Sequence, residues 1–196
     1  MSWQNVTDLG DSAVMLPVGA VFASWLVASG RSREAFSWAL WFGAAILVAV
    51  ASKIAFLGWG LGISAIDFTG VSGHAMLATA LLPVCANEAA RNVSSNLRLG
   101  AVALGYAGGL LIGASRVILG EHSLSEVVFG CVLGALVSIE FLRTAKGGRI
   151  GNAAAASAIV IFLAVVFLSA GRHAPSQYWI TRAALYLSGH SSPYRR

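Results

Sequence analysis

Apolar residues along this chain fall in long unbroken blocks, and short polar stretches separate the blocks. Six apolar segments stand out, at about 13–29, 36–57, 72–86, 99–119, 126–142 and 152–170. Continuous runs of this length predict helices; a spanning strand would alternate, and only a closed barrel could satisfy its backbone in lipid. The third segment is short and contains Pro83, so a kink is expected there, with neighbouring helices satisfying the freed carbonyl. Glycines recur at four-residue spacing, as Gly105, Gly109 and Gly113 and again as Gly130 and Gly134. That spacing predicts close helix–helix packing.

Composition sharpens this reading. Of 196 residues, 57% are hydrophobic and 11% charged, with a mean hydropathy of +0.76. A soluble domain carries about a quarter of its residues as charges. The expected fold is therefore all-α, a polytopic integral membrane protein of about six transmembrane helices. The whole of 1–196 reads as one membrane-embedded domain, with a polar C-terminal tail at 171–196.

Charge adds orientation. The formal net charge is +5, but the basic residues form no stripe with interleaved aromatics, so nucleic acid is not an expected partner. Arg31, Arg33, Arg91, Arg98, Arg143, Lys146 and Arg149 fall in alternate connections. The other side holds Lys53, Arg116, Arg172, Arg182, Arg195 and Arg196. With Lys53 and Arg116 set aside for function, the positive-inside rule places both termini outside the cytoplasm. Asp8 and Asp11, with no early Lys or Arg, argue against a cleavable signal peptide. Cys85 and Cys131 lie within apolar segments and offer neither a disulfide framework nor a metal-ligand spacing. The tryptophans Trp3, Trp59 and Trp179 read as interfacial anchors.

On the outer side of this topology, the segment ends carry Lys53, Asp67, Ser72, His74, Arg116, Glu121, His122 and Glu126. Ionisable groups at membrane segments are costly, and their coincidence at one face points to function. Two cations, two imidazoles and two helix N-termini suit an oxyanion, because free N–H groups and the helix dipole favour negative charge. Arginine adds a bidentate fork. His122 and Glu126 are four apart, so the carboxylate can orient the ring as base and orienter. The run Ser123-Leu124-Ser125-Glu126 also reads as a capping box, in which Glu126 only closes the helix. His74, after the flexible Gly73, suits a general acid. Asp67 is either an acceptor for Lys53 or Arg116, or a turn residue before Gly70.

These residues resemble the type-2 phosphatidic acid phosphatases, the membrane branch of the group that includes vanadium haloperoxidases. That family carries K-x6-R-P, P-S-G-H and S-R-x5-H-x3-D. Here the second motif stands as Val71-Ser72-Gly73-His74, and the third as Ser115-Arg116, His122 and Glu126 with its spacing kept. The motif core spans 53–126. Lys53 matches the first motif's lysine, but Gly60 stands where its arginine would, Glu126 replaces Asp, and Val71 replaces Pro. The resemblance implies that Lys53, Arg116, the Ser72 hydroxyl and the Gly73 N–H bind phosphoryl oxygens, with Ser115 and Asp67 in support. It implies that His122 attacks phosphorus, Glu126 orients it and His74 protonates the leaving oxygen. It implies no metal or other cofactor, and the sequence shows no acidic cluster of the Mg²⁺ type.

A second Ser-Gly-His, Ser188-Gly189-His190, lies in the polar tail with no partner Arg or His at a matching spacing, and is not expected to be catalytic. Gly58-Trp59-Gly60-Leu61-Gly62 lacks a preceding strand and the full dinucleotide spacing; it is expected to let the Lys53–Ser72 connection bend. The function expected is a metal-independent lipid phosphatase in the bacterial inner membrane, its site facing the periplasm. Polyprenyl, phosphatidyl and lipid A phosphates are all candidate substrates. The loss of Arg-Pro motivates a rival, a catalytically impaired homologue that binds or transports an anionic lipid. A proton pathway through His74 and His122 is weaker, because the polar residues gather at one face.

Overall fold

Five of the six apolar segments become helices with recognisable ends. A computed structural model describes residues 2–145 and 174–195; the sixth segment, 152–170, lies outside the described residues. The elements are α1 (Trp3–Asp8), α2 (Ser12–Ala28), α3 (Ser32–Trp59), a 3-10 turn (Ser64–Ile66), α4 (Gly73–Ala89), α5 (Ser95–Ile118), α6 (Leu124–Thr144) and α7 (Ser176–Ser188). The protein is an all-α membrane protein. Trp3–Ala28, Ser32–Trp59, Ser95–Ile118 and Leu124–Thr144 are long and apolar enough to cross a membrane. Many of their apolar side chains face outward: Phe36, Leu47, Leu99 and Leu104 are each at least 70% exposed. Such an outer surface suits hydrocarbon rather than water.

Local chemistry sets the helix ends. Asp11 caps α2 by accepting from the Ala13 N–H at 2.7 Å. Gly60, with φ 68°, ends α3 in the left-handed conformation that glycine adopts without strain. Gly70, with φ 154°, lies so close to Lys53 that a Cβ there would sit 2.9 Å from the lysine Cγ. The Val71 N–H donates to Ser52 Oγ at 2.9 Å, which pins this connection to α3. A lone antiparallel bridge between Ile63 and Phe68 closes the loop between them.

α4 is the axis of the bundle. It packs most extensively against α5 and α6, and it buries residues around its whole circumference, from Ala75 to Glu88. The glycine stripes make this possible. A Cβ at Gly105 would fall 2.7 Å from Pro83 Cα, and one at Gly109 would fall 2.9 Å from Thr79 Oγ1. On α6, a Cβ at Gly130 would lie 2.6 Å from the Ser72 carbonyl oxygen, and at Gly134 2.3 Å from that of Met76. Two helices thus approach α4 backbone to backbone, as the glycine spacing predicts.

The two ends of the bundle differ. At the end opposite the segment-three motif, Phe22, Trp38, Phe42 and Phe141 interlock, with ring centroids 4.8–5.9 Å apart, and join α2, α3 and α6. Beneath them Glu88 accepts from Arg31 Nη1 at 2.7 Å and from Arg91 Nη1 at 2.7 Å, while Arg31 also bonds Glu34. Asn87 joins Glu88 to Arg98, whose Nε donates to Asn87 Oδ1 at 2.7 Å. The arginines that the sequence offers as free topogenic charge are, for Arg31 and Arg91, half of buried ion pairs.

The C-terminal tail is not simply polar. It forms α7, which packs on α3, with Ala184 against Gly58. Beyond it, His190 Nδ1 bonds the Gly58 carbonyl at 2.8 Å, and the Tyr194 N–H donates to the Leu57 carbonyl at 3.0 Å. The second Ser-Gly-His therefore clasps the end of α3 and takes no place in the cavity described next.

Candidate functional site

The motif-bearing ends of α3, α4, α5 and α6 surround one cavity of about 550 Å³. Lys53, Gly73, His74, Arg116, His122 and Glu126 all line it. Its other wall is apolar, formed by Leu16, Ile46, Val50, Met76, Leu77 and Ile180. Three expected residues stand elsewhere. Ser72 is fully buried behind the first turn of α4, and its hydroxyl has no hydrogen-bond partner among the described residues. The Ser115 hydroxyl donates to the Ile112 carbonyl at 2.6 Å and is wholly buried. Asp67 is exposed, outside the cavity lining, and turns the chain with φ 53° after the 3-10 turn.

Glu126 has two duties at once. Ser123 Oγ accepts from the Glu126 N–H at 3.3 Å, and the Ser123 N–H donates to Glu126 Oε2 at 3.2 Å, which completes the capping box. The same Oε2 lies 2.6 Å from His122 Nδ1. Oε1 accepts from the Thr69 N–H at 2.8 Å and from the Thr69 hydroxyl. The side chain is almost completely buried, and N–H and O–H donors ring its carboxylate, so it is an acceptor and ionised. Its partner His122 Nδ1 must then carry the proton, which leaves Nε2 with the lone pair. Burial, opposed by the bond to Glu126, pushes the His122 pKa below its ordinary 6.5. The ring is neutral at pH 7.

Facing this dyad, α4 presents its N-terminus. A Cβ built at Gly73 meets no atom within 4 Å, so the space before the first turn is open. Ser72 makes no side-chain cap, and the first N–H groups of α4 include that of Gly73. Arg116 Nη1 donates to Thr7 Oγ1 at 3.0 Å, its Nη2 lies 3.6 Å from Glu121 Oε2, and its buried Nε has no partner among the described residues. Unspent donors beside an open N-terminus suit a tetrahedral anion.

Sequence reasoning missed three side chains here. Thr69 holds Glu126 across 57 positions, Thr7 holds Arg116 across 109, and Asp11 lies 3.8 Å from His74. Only Asp11 carried a readable signal, that of a helix cap, and the cap does not reveal what its second oxygen faces.

The cavity thus gathers a histidine–carboxylate pair, two cations and an open helix N-terminus, groups suited to an oxyanion. A sequence profile of the PAP2 superfamily matches residues 63–148. An "Uncharacterized 22.5 kDa protein in cps region" of Klebsiella pneumoniae is 35% identical over 201 aligned positions, which cover 100% of this chain and 96% of that protein. No solved structure matches the chain. The chain belongs to the PAP2 superfamily.

Proposed function

We propose that this protein is a metal-independent membrane lipid phosphatase that hydrolyses a lipid phosphate or diphosphate through a phosphohistidine. The observation that carries the reading is the His122–Glu126 bond at 2.6 Å, in a cavity that also holds Lys53, Arg116 and the N-terminus of α4. The apolar wall supports a lipid substrate, since it can take the first carbons of an acyl or prenyl chain while the headgroup meets the cations. A site facing the periplasm across the bacterial inner membrane is part of the same proposal.

In this reading Lys53, Arg116 and the Gly73 N–H hold the phosphoryl oxygens and match the spread charge of the transition state. The His122 Nε2 lone pair forms a bond to phosphorus. The bond from phosphorus to the leaving oxygen breaks, its electron pair stays on that oxygen, and the oxygen takes a proton from His74. Water then attacks phosphorus, gives a proton to His74, and the P–N electron pair returns to Nε2. Glu126 stays ionised and keeps Nδ1–H in place throughout.

The test is phosphate release by the purified protein in excess EDTA, across polyprenyl, phosphatidyl and lipid A monophosphates and diphosphates. Release is expected on at least one lipid and is expected to vanish in His122→Ala. Release that survives in that variant would refute the nucleophile. No release from folded protein on any lipid would favour the anionic-lipid binder or transporter that the missing Arg-Pro motivates.

A further inference from the structure

We propose that Asp11 is a positioning residue for this reaction, its carboxylate placed to favour the protonated form of His74 as a proton leaves for the departing oxygen; the inference rests on the phosphatase reading above. Asp11 is buried at the mouth of α2 and lines the same cavity. Its Oδ1 is fixed from two sides, by the Ala13 N–H at 2.7 Å and the Ala174 N–H at 3.2 Å. That fixes the carboxylate and leaves Oδ2 3.8 Å from His74 Nε2. The backbone is pressed onto the ring as well. A Cβ at Gly10 would fall 2.5 Å from Ile112 Cγ2 and 3.3 Å from His74 Cδ2, so only glycine permits this approach.

Charge explains why a carboxylate belongs there. A general acid must carry its proton, yet Lys53 and Arg116 share the cavity with His74 and oppose a third positive charge. Of the other carboxylates lining it, Glu126 is bound to His122, Ser123 and Thr69, and the largely exposed Glu121 faces Arg116. Asp11 is the carboxylate placed against His74. The 3.8 Å spacing is too long for a hydrogen bond, so Asp11 acts on the ring by charge. As the phosphorus–oxygen bond breaks, a proton passes from His74 to the departing alkoxide, and the water that then attacks phosphorus returns a proton to His74.

Leaving-group dependence tests this role. An alkoxide needs a proton to depart, whereas p-nitrophenolate does not. Asp11→Asn removes the charge and keeps a capping oxygen, and Asp11→Ser is a second capping variant. Both are compared with wild type on dodecyl phosphate and p-nitrophenyl phosphate, with thermal melting as the check on folding. Expected is a fall in kcat of about tenfold or more on dodecyl phosphate, with KM not raised, and a several-fold smaller fall on p-nitrophenyl phosphate. Equal losses on the two substrates, or a loss confined to melting temperature, would overturn the role of Asp11 and leave the phosphatase reading intact. A wild type without His122-dependent release on either substrate would instead overturn the phosphatase reading.

Discussion

At the scale of single residues, the dyad makes two commitments. Burial lowers the His122 pKa, so its imidazole should titrate below 6.5 and keep its Nε2 lone pair on acidification until that lower value is passed. A histidine-selective NMR titration, with His122→Ala to assign the signal, checks this; a midpoint at or above 6.5 would contradict it. Glu126→Gln keeps an acceptor for Nδ1–H but removes the charge that favours imidazolium. The midpoint should move lower still, while turnover falls on the scale of lost base orientation, about 10²-fold or more. If Glu126 were a helix cap alone, turnover per folded molecule would hold and only about 0.5–2 kcal/mol of stability would be lost. The sequence left cap and orienter as alternatives because both need a carboxylate at that position. The folded geometry gives it both tasks, since Oε2 reaches the Ser123 N–H and His122 Nδ1 together.

At the scale of elements, the glycine stripes carry the packing. Gly134→Val places side-chain atoms where the α4 backbone already lies, with a Cβ only 2.3 Å from the Met76 carbonyl oxygen. The expected cost is about 1–3 kcal/mol from overpacking, read as a lower melting temperature in detergent. An unchanged melting temperature would mean that α6 can retreat from α4. These stripes were legible because small residues at four-residue spacing have one dominant physical use in membrane helices. The helices themselves were legible for a similar reason: Ser12–Ala28, Ser32–Trp59, Gly73–Ala89, Ser95–Ile118 and Leu124–Thr144 follow the apolar blocks closely. What escaped notice was short or amphipathic. α1 has only six residues, and α7 mixes polar and apolar side chains, so neither forms an apolar block. Thr69, Thr7 and Asp11 escaped for a different reason, because their partners are set by the tertiary fold and no local pattern encodes them.

At the scale of the whole molecule, the two ends of the bundle use their charges differently. The site gathers charges with unspent donors, whereas the far end spends its charges on one another around Glu88. Glu88→Gln removes the carboxylate shared by Arg31 and Arg91, and the expected loss is about 3–5 kcal/mol of stability. Phosphate release per folded molecule should persist, since Glu88 lies outside the cavity lining; parallel melting and activity measurements separate the two effects. A proportional collapse of activity in folded protein would show the ends to be coupled. The central helix carries a last consequence, one of timing in biosynthesis. α4 has 17 residues, about 26 Å of helix, and bears Thr79, Pro83, Asn87 and Glu88. It is a poor passenger for the bilayer by itself. The glycines that close upon it belong to α5 and α6, which leave the ribosome later. The cavity end of the bundle is therefore complete only once α6 has packed on α4.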